Sequence, residues 1–440
     1  MQNDPRSHGL WEKTAPAAPA TSVLEGERAV EVAVIGAGYT GLSTALHLAE
    51  KGIEAAVVEA AEIGFGGAGR NVGLVNAGMW VMPRDLVATL GDDYGNRLLD
   101  FLGAGPAYVW DMVARHGIEC EANPVGTLHA GVGRAGFEEL AERERQWKMR
   151  GAPVELIGKA DAAMMLGTDF YEGALLDRRA GTIQPLAYAR GLARAAAALG
   201  VTIHTRSPAT ALERAGAGWR VRTRKGALAA RKVVFATDAY TRLLKEEITR
   251  EQVFLPYFNM ATPPLPGNLV RTILPGRQGV WDTKEVLLSF RYDARDRLVF
   301  GSVGALRNTG AAIHRAWAKR ALRRIFPQLG PWLGTVGFED EWYGTIGMTA
   351  DNLPRFHQLE DGVYTFCGYN GRGIAPGTVF GRAMAEFLAG ETAQDALPLP
   401  LTEPRTVPLR GLRSAFYEAG AQLVHLTEAR VPSRRGASRN

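Results

Sequence analysis

Three glycines within six residues, Gly36, Gly38 and Gly41, follow the apolar run VEVAVI and open the segment GLSTALHLAEKG. The run reads as a strand buried on both faces, and the segment as a helix closed by Gly52. A second apolar run, EAAVVEA, ends in Glu59, 18 residues beyond Gly41. This spacing suits a dinucleotide. Gly36 permits the tight turn, Gly38 lets the backbone approach a pyrophosphate, and Gly41 lets the helix pack closely on the strand. The helix N-terminus then offers free N–H groups to the phosphates, and Glu59 binds ribose hydroxyls. The candidate segment is therefore the whole turn Gly36, Ala37, Gly38, Tyr39, Thr40 and Gly41, with Glu59. The turn alone does not distinguish NAD from FAD.

The same glycine pattern occurs twice more. Gly64, Gly66 and Gly69 lead into RNVGLVNAG, which is no helix. Gly131, Gly133 and Gly136 follow GTLHA and precede the helical FEELAERERQWKMRG, with Glu155 19 residues on. That helix is dense in charge, and Asn123-Pro124 ahead of the strand suits a sheet edge. It reads as a surface hairpin and helix, with a second nucleotide site as the alternative.

Two further stretches favour a flavin. Residues 62–78, EIGFGGAGRNVGLVNAG, form a glycine loop carrying Arg70 and Asn71 directly after the ribose acid. Such a loop brings backbone N–H groups close to a flat ligand. Residues 362–390 read as a buried strand, VYTFCG, a glycine turn, YNGRGIAPG, and a helix ended by Gly390. That second helix N-terminus can stabilise negative charge developing on a reduced ring. Cys367, on the apolar strand, is expected to be a buried structural thiol.

The segments VAVIGAGYTGLSTALHLAEKG, VVEAAEIGFGGAGRN, KVVFATDAYT, WYGTIGMTADNLP and GYNGRGIAPGTVFGR together resemble the FAD-dependent D-amino-acid-oxidase-like family. That family includes glycine oxidase, sarcosine oxidase and the γ-glutamylputrescine oxidases, and the GFGGAGRNVG loop and GYNGRG turn are most similar to the last subgroup. The resemblance runs in order over about residues 30–400. It implies an α/β architecture of two domains: a Rossmann-like FAD-binding domain and a largely antiparallel-sheet substrate domain, with the flavin at their interface. It further implies that Gly69, Arg70 and Asn71 sit near the pyrophosphate or ring, that the Ala209 backbone meets adenine, and that Gly371, Arg372, Gly373 and Ile374 border the ring. Sarcosine oxidases attach FAD through a Cys in the segment matching WYGTIGMTAD, where this chain has Gly344. Non-covalent FAD is the expectation.

The chemistry implied is oxidation of an amine or amino acid by hydride transfer to flavin N5, hydrolysis of the imine, and reoxidation by O2 to give H2O2. The alternatives are a dehydrogenase of amino or hydroxy acids that uses a quinone or electron-transfer partner, and a non-catalytic flavin-binding protein. The flavin supplies the chemistry, so no catalytic side chain is assigned. A pocket that excludes water needs apolar walls, for which Tyr257, Phe258, Met260, Trp342, Tyr343 and Tyr369 are candidates. Arg291 could bind a substrate carboxylate bidentately, or else pair with Asp293 or Asp296 across a strand. Lys284 could assist O2 electrostatically or be a solvated strand-end lysine. His129 and His357 could line a pocket or be satisfied core histidines. The bet on substrate is an amine with a carboxylate at some distance.

The elements that position these residues are those of an ordinary globular chain of 440 residues, 46% hydrophobic and 22% charged. The net charge of +5 is spread out, and its densest run, Arg434, Arg435 and Arg439, lies in the tail. No basic and aromatic stripe supports nucleic-acid binding. Two cysteines, Cys120 and Cys367, form no disulfide framework, and no metal spacing occurs. The N-terminus has no secretory h-region and no segment reads as a membrane span, so a cytoplasmic location is expected. The domain division is 1–29, an N-terminal arm; 30–90, 176–245 and 345–400, the discontinuous FAD-binding domain; 91–175 and 246–344, the substrate domain; and 401–440, a C-terminal helix and basic tail. Residues 13–22 read as a linker, and the amphipathic helix 411–430 as packing on the domain or mediating self-association.

Overall fold

The computed structural model describes residues 8–241 and 244–428; the basic tail at Arg434 lies outside the described residues. Two large sheets carry the fold. At the centre of the nine-stranded sheet, Gly26–Ile35 pairs in parallel with Ala55–Val58 on one side and Gly226–Phe235 on the other. Val32, Ala33, Val34 and Ile35 are all buried, which is why this strand shows no polar alternation. Thr202–His204 and Val363–Cys367 extend the parallel core on its two sides. Short strands finish the sheet: the antiparallel Arg355–Glu360, the hairpin Ala211–Ala215 with Gly218–Arg222, and Leu401–Thr402, parallel to Arg355–Glu360 at the edge.

The eight-stranded sheet runs Asp340–Met348, Val253–Pro264, Arg297–Val303, Leu288–Tyr292, Gly279–Asp282, Thr127–Gly131, Gly173–Asp177, Val154–Gly158. Every pairing in it is antiparallel except that of Gly279–Asp282 with Thr127–Gly131. The result is the expected mixed α/β fold of two domains. The expected boundaries at 175–176 and 344–345 fall inside two of these strands.

The third glycine match is corrected here. Thr127–Gly131 is an interior strand with all five residues buried, not an edge. Pro124 precedes it by three residues, so no ladder N–H is lost. Gly173–Asp177 separates Thr127–Gly131 from Val154–Gly158, so the strand–helix–strand unit makes no adjacent parallel pair and no nucleotide crevice. The helix Gly133–Met149 keeps most of its charge outside but buries Arg143 together with Gln146 and Trp147.

The N-terminal arm holds a helix that overlaps the expected linker 13–22 only at Lys13 and Thr14. Leu10–Thr14 is a short helix whose Leu10 and Trp11 are fully buried, because the Trp11 indole fills a site against Trp342.

Candidate active site

Two helices aim their N-termini at one place. Tyr39–Glu50 starts at Gly38, and Ile374–Leu388 starts at Gly373; neither has a side-chain cap, so their first N–H groups are open. The helices pack on each other through small residues. A Cβ on Gly381 would lie 2.5 Å from the Ser43 Cβ, and the Ser43 hydroxyl donates to the Thr378 carbonyl at 2.7 Å. In the first turn of Tyr39–Glu50, Gly41 has no room for a side chain: a Cβ would lie 2.0 Å from the Gly36 carbonyl oxygen. Gly36 itself has φ +110°, which favours glycine.

The helix ends open into a cavity of about 1050 Å³. That is at the top of the range for small-molecule sites, with room for a dinucleotide and a second ligand. The nine-stranded domain contributes Gly36, Gly38, Tyr39, Thr40, Glu59, Arg70, Asn71, Ala209, Tyr369, Gly371, Arg372, Gly373 and Ile374 to its wall. Ala37, Gly41 and Gly69 stand behind the wall. Ala37 N–H donates to the Glu59 Oε2 at 2.9 Å, and a Cβ on Gly69 would strike the Gly64 carbonyl. The second glycine match is thus the cavity's own loop: its Gly66, with Phe65 and Gly67, lines the wall.

The loop is held from several sides. Asn71 Nδ2 donates to the Gly67 and Ala68 carbonyls at 2.9 and 3.0 Å, and its Oδ1 accepts the Gly73 N–H at 2.8 Å. The Arg70 carbonyl accepts Asn259 Nδ2 and Trp342 Nε1, both at 3.0 Å, while its guanidinium lies over the Phe65 ring. The Tyr369 hydroxyl shares a 2.6 Å hydrogen bond with Thr40 Oγ1. Glu59 is half-buried at the cavity wall, and desolvation there raises its carboxyl pKa against the N–H groups of Ala37 and Ala61 that it accepts.

The eight-stranded sheet forms the opposite wall with Tyr257, Trp281, Asp282, Lys284, Ser289 and His129, joined by Trp80 and Arg143. Tyr257 points inward and shares a 2.7 Å hydrogen bond with Ser289. Its neighbours Phe258 and Met260 do not line the cavity; strand alternation sends them into the core on the other face. Tyr343 packs toward the same core.

Two expected substrate contacts lie elsewhere. Trp342 is buried under the Arg70 loop against Trp11, outside the cavity wall. Arg291 is fully buried behind the wall: its Nη1 donates to the Ile183 carbonyl at 2.7 Å and Nη2 lies 3.9 Å from Glu121. The alternative partners are taken, since Asp293 pairs with Arg297 and Asp296 with Arg277. His357 is remote, bonded to Glu251 and Thr402. His129 does reach the cavity and stacks on Trp281 at 3.3 Å between ring centroids. Lys284 reaches it too, in an ion pair with Glu428 rather than solvated. Both cysteines are buried free thiols. Trp80, Arg143, Trp281 and Asp282 were missed because each joins the site from an element distant in sequence. The aromatic–acid run VWD at 280–282 was the available signal.

No helix among the described residues is long and apolar enough to cross a membrane. Compared with known proteins, residues 31–387 match the family profile described as FAD dependent oxidoreductase. The chain is 31% identical over 398 residues to a probable oxidoreductase, OrdL, of Haemophilus influenzae, covering 89% of this chain and 90% of that protein. It is 31% identical over 405 residues to the gamma-glutamylputrescine oxidoreductase of Escherichia coli, covering 88% and 92%. Its fold superimposes on the crystal structure of glycine oxidase from Geobacillus kaustophilus with a TM-score of 0.68 at 19% identity, covering 85% and 98%. A glycine turn at one end of the cavity, a second helix N-terminus beside it and a family match over both domains converge: the chain belongs to the FAD-dependent oxidoreductases of the D-amino-acid-oxidase type.

Proposed function

We propose that the protein oxidises the C–N bond of a small amine or amino acid. The observation that carries this is the single cavity shared by a dinucleotide cradle on one sheet and an aromatic wall on the other. FAD fits the residues present. Gly36 and Gly38 put no side chain on the wall, two uncapped helix ends offer N–H groups, and Glu59 stands at the end of the neighbouring strand. When bound, FAD supplies the acceptor for the substrate's hydride.

The chain's part is to hold and enclose. Gly36, Gly38, Thr40, Arg70, Asn71, Ala209 and Gly371–Ile374 would hold the cofactor. Tyr257, Trp80 and Trp281 would keep water from the reacting carbon. Reoxidation by O2, yielding H2O2, is part of the proposal, as is non-covalent FAD. Gly344 offers no thiol, a Cβ there would already lie 3.0 Å from the Tyr240 hydroxyl, and neither cysteine lines the cavity. The reading also places the protein in the cytoplasm, where its two thiols stay reduced. Self-association through the helix Arg410–Thr427, whose Leu412, Phe416, Tyr417 and Leu423 face outward, is a further part, tested by light-scattering mass.

The names of the relatives, gamma-glutamylputrescine oxidoreductase and glycine oxidase, support amines and amino acids as the substrates to try. The test is anaerobic: add a panel of amines, amine–amino-acid conjugates and amino acids to the yellow protein and follow its visible absorbance. Bleaching by one class is expected, with colour and peroxide returning on admission of air. Return of colour only with a quinone would replace the oxidase by a dehydrogenase. A yellow protein that no member bleaches would overturn the reading.

A further inference from the structure

Outside the cavity, the N-terminal arm and the loop after Glu59 bring three metal-binding side chains together. His8 and Glu12 stand four residues apart in the arm, and Glu62 opens the 62–65 turn of the cofactor loop. His8 Nδ1 lies 3.3 Å from Glu12 Oε2 and 3.6 Å from Glu62 Oε1. The three ligand atoms all fall within 4.8 Å of one another. Two ligands held about 2.0–2.1 Å from one tetrahedral zinc are roughly 3.3–3.4 Å apart, so this spacing suits such an ion with little movement.

The imidazole is fixed from outside the group. His8 is fully buried, its ring meets the Phe65 ring edge-on, and a Cβ on Gly69 would lie 2.8 Å from its Cδ2. Its Nε2 lies 3.3 Å from the Phe65 carbonyl. A carbonyl oxygen only accepts, so Nε2 carries a proton. That turns Nδ1 towards two carboxylates, which also only accept. A neutral imidazole would set its lone pair against theirs, so either a second proton or a metal ion belongs at Nδ1. A ring N–H donated to a backbone carbonyl is the usual means of orienting a metal-bound histidine. Glu12 is held as well, its Oε1 accepting Arg190 Nη2 at 2.6 Å. Glu62 is half-exposed, which gives an entry path and leaves the fourth position to water.

We infer that His8, Glu12 and Glu62 form a zinc site that latches the N-terminal arm onto the cofactor loop. One nitrogen with two carboxylate oxygens suits zinc or a similar first-row ion better than Mg2+ or Ca2+, which take oxygen ligands. Only His8 and Glu12 are close in the chain, which is why no metal spacing showed in the sequence. Phe65 lines the cavity and carries the Arg70 guanidinium over its ring, so an ion beside it steadies the FAD-binding wall. The zinc site is independent of the amine-oxidation reading; its effect on the cofactor rests only on FAD binding.

The test uses the full-length FAD-loaded enzyme, stripped of metal with a chelator and titrated with zinc chloride by calorimetry. About one zinc should bind per chain, and about one proton should pass from Nδ1 to the buffer, counted by repeating the titration in buffers of different ionisation heat. Cobalt in place of zinc should show the visible bands of a tetrahedral ion, read to the red of the flavin. Glu62→Gln and His8→Gln should each weaken zinc binding by roughly tenfold or more. Glu62 is half-exposed, so Glu62→Gln decides alone should His8→Gln fail to fold. Zinc should slow the release of FAD from the native enzyme and not from Glu62→Gln. No zinc binding overturns the proposal and leaves an imidazolium paired with two glutamates. Zinc that binds the variants as well as the native enzyme is adventitious and overturns it too, as does calcium binding as tightly as zinc. Zinc that binds at these residues without slowing FAD release overturns the latch.

Discussion

Asp282 is a carboxylate on a buried strand, 2% exposed, whose one oxygen accepts the Leu288 N–H at 2.9 Å while the other has no partner. Burial pushes its pKa up to about 7, well above the ordinary range of an aspartate, with the Glu428 charge adding a little. The folded state therefore holds a proton between pH 4 and 7 that the unfolded chain has released, so stability falls as pH rises through that window. Asp282→Asn should remove the slope. Thermal unfolding at pH 5 and pH 8 should show the variant gaining on the native protein at the higher pH, by on the order of 3 kcal/mol. Parallel pH profiles would refute this. Gly41 sets a steric limit at the same scale. Gly41→Ala puts a methyl 2.0 Å from the Gly36 carbonyl oxygen, so it should cost roughly 1–3 kcal/mol and lower the flavin-to-protein absorbance ratio.

The helix Arg410–Thr427 docks through very few side chains. Ala421 and His425 are its buried residues, and the His425 ring stacks on Trp317 at 3.6 Å. His425 Nδ1 and His314 Nδ1 are 2.8 Å apart, so one must donate and the other accept. Burial lowers His314 to about pKa 4 and, with His314 and Lys284 nearby, His425 to about 3. Facing the pair are Glu418, Lys284 and Arg320, with Glu428 beyond on Trp317 and Lys284. Here the unfolded chain binds protons first, so stability falls as pH drops from about 6.5 towards 4. His425→Phe should keep the stack on Trp317 and lose about 2 kcal/mol of this acid sensitivity between about pH 6.5 and 5. Limited proteolysis of the C-terminal helix at pH 5 and 7.5 checks it; equal acid sensitivity in both proteins would count against it. The helix itself was legible because its 3.6-residue pattern is local. So was the Gly36–Gly41 turn, where strand, glycines, helix and acid follow one another in the chain. Parity along Val253–Pro264 was legible in principle: Tyr257 cannot share a face with Phe258 and Met260. Arg143 and Trp281 were not legible as a pair, because only the interior position of Thr127–Gly131 brings the helix that follows it over the cavity.

Across the whole molecule, the N-terminal arm ties together what the cavity separates. Trp11 is fully buried, 5.4 Å from Trp342 on the eight-stranded sheet and 5.2 Å from the Arg291 guanidinium. Its Nε1 donates to the Asn71 carbonyl at 2.9 Å, on the cofactor loop. Its own carbonyl accepts Gln184 Nε2 at 2.9 Å, and Glu12 pairs with Arg190 at 2.6 Å on the helix Pro185–Ala198. One indole thus touches both domains and the segment carrying Arg70. No periodicity announced this, since a five-residue helix shows none and its partners lie from 60 to 331 residues away. Trp11→Ala should leave a cavity costing about 3–5 kcal/mol. Because the vacated space lies beneath Arg70 and Asn71, FAD affinity should fall with stability, so that added FAD restores less of the lost Tm than it adds to the native protein. Trp11→Phe keeps most of the packing but gives up the bond to Asn71, and should separate the two effects: stability largely kept, FAD dissociation faster. Unfolding curves at several FAD concentrations measure both. If Trp11→Ala lowers Tm while FAD affinity stays native, the arm would be a structural strap with no hold on the cofactor loop.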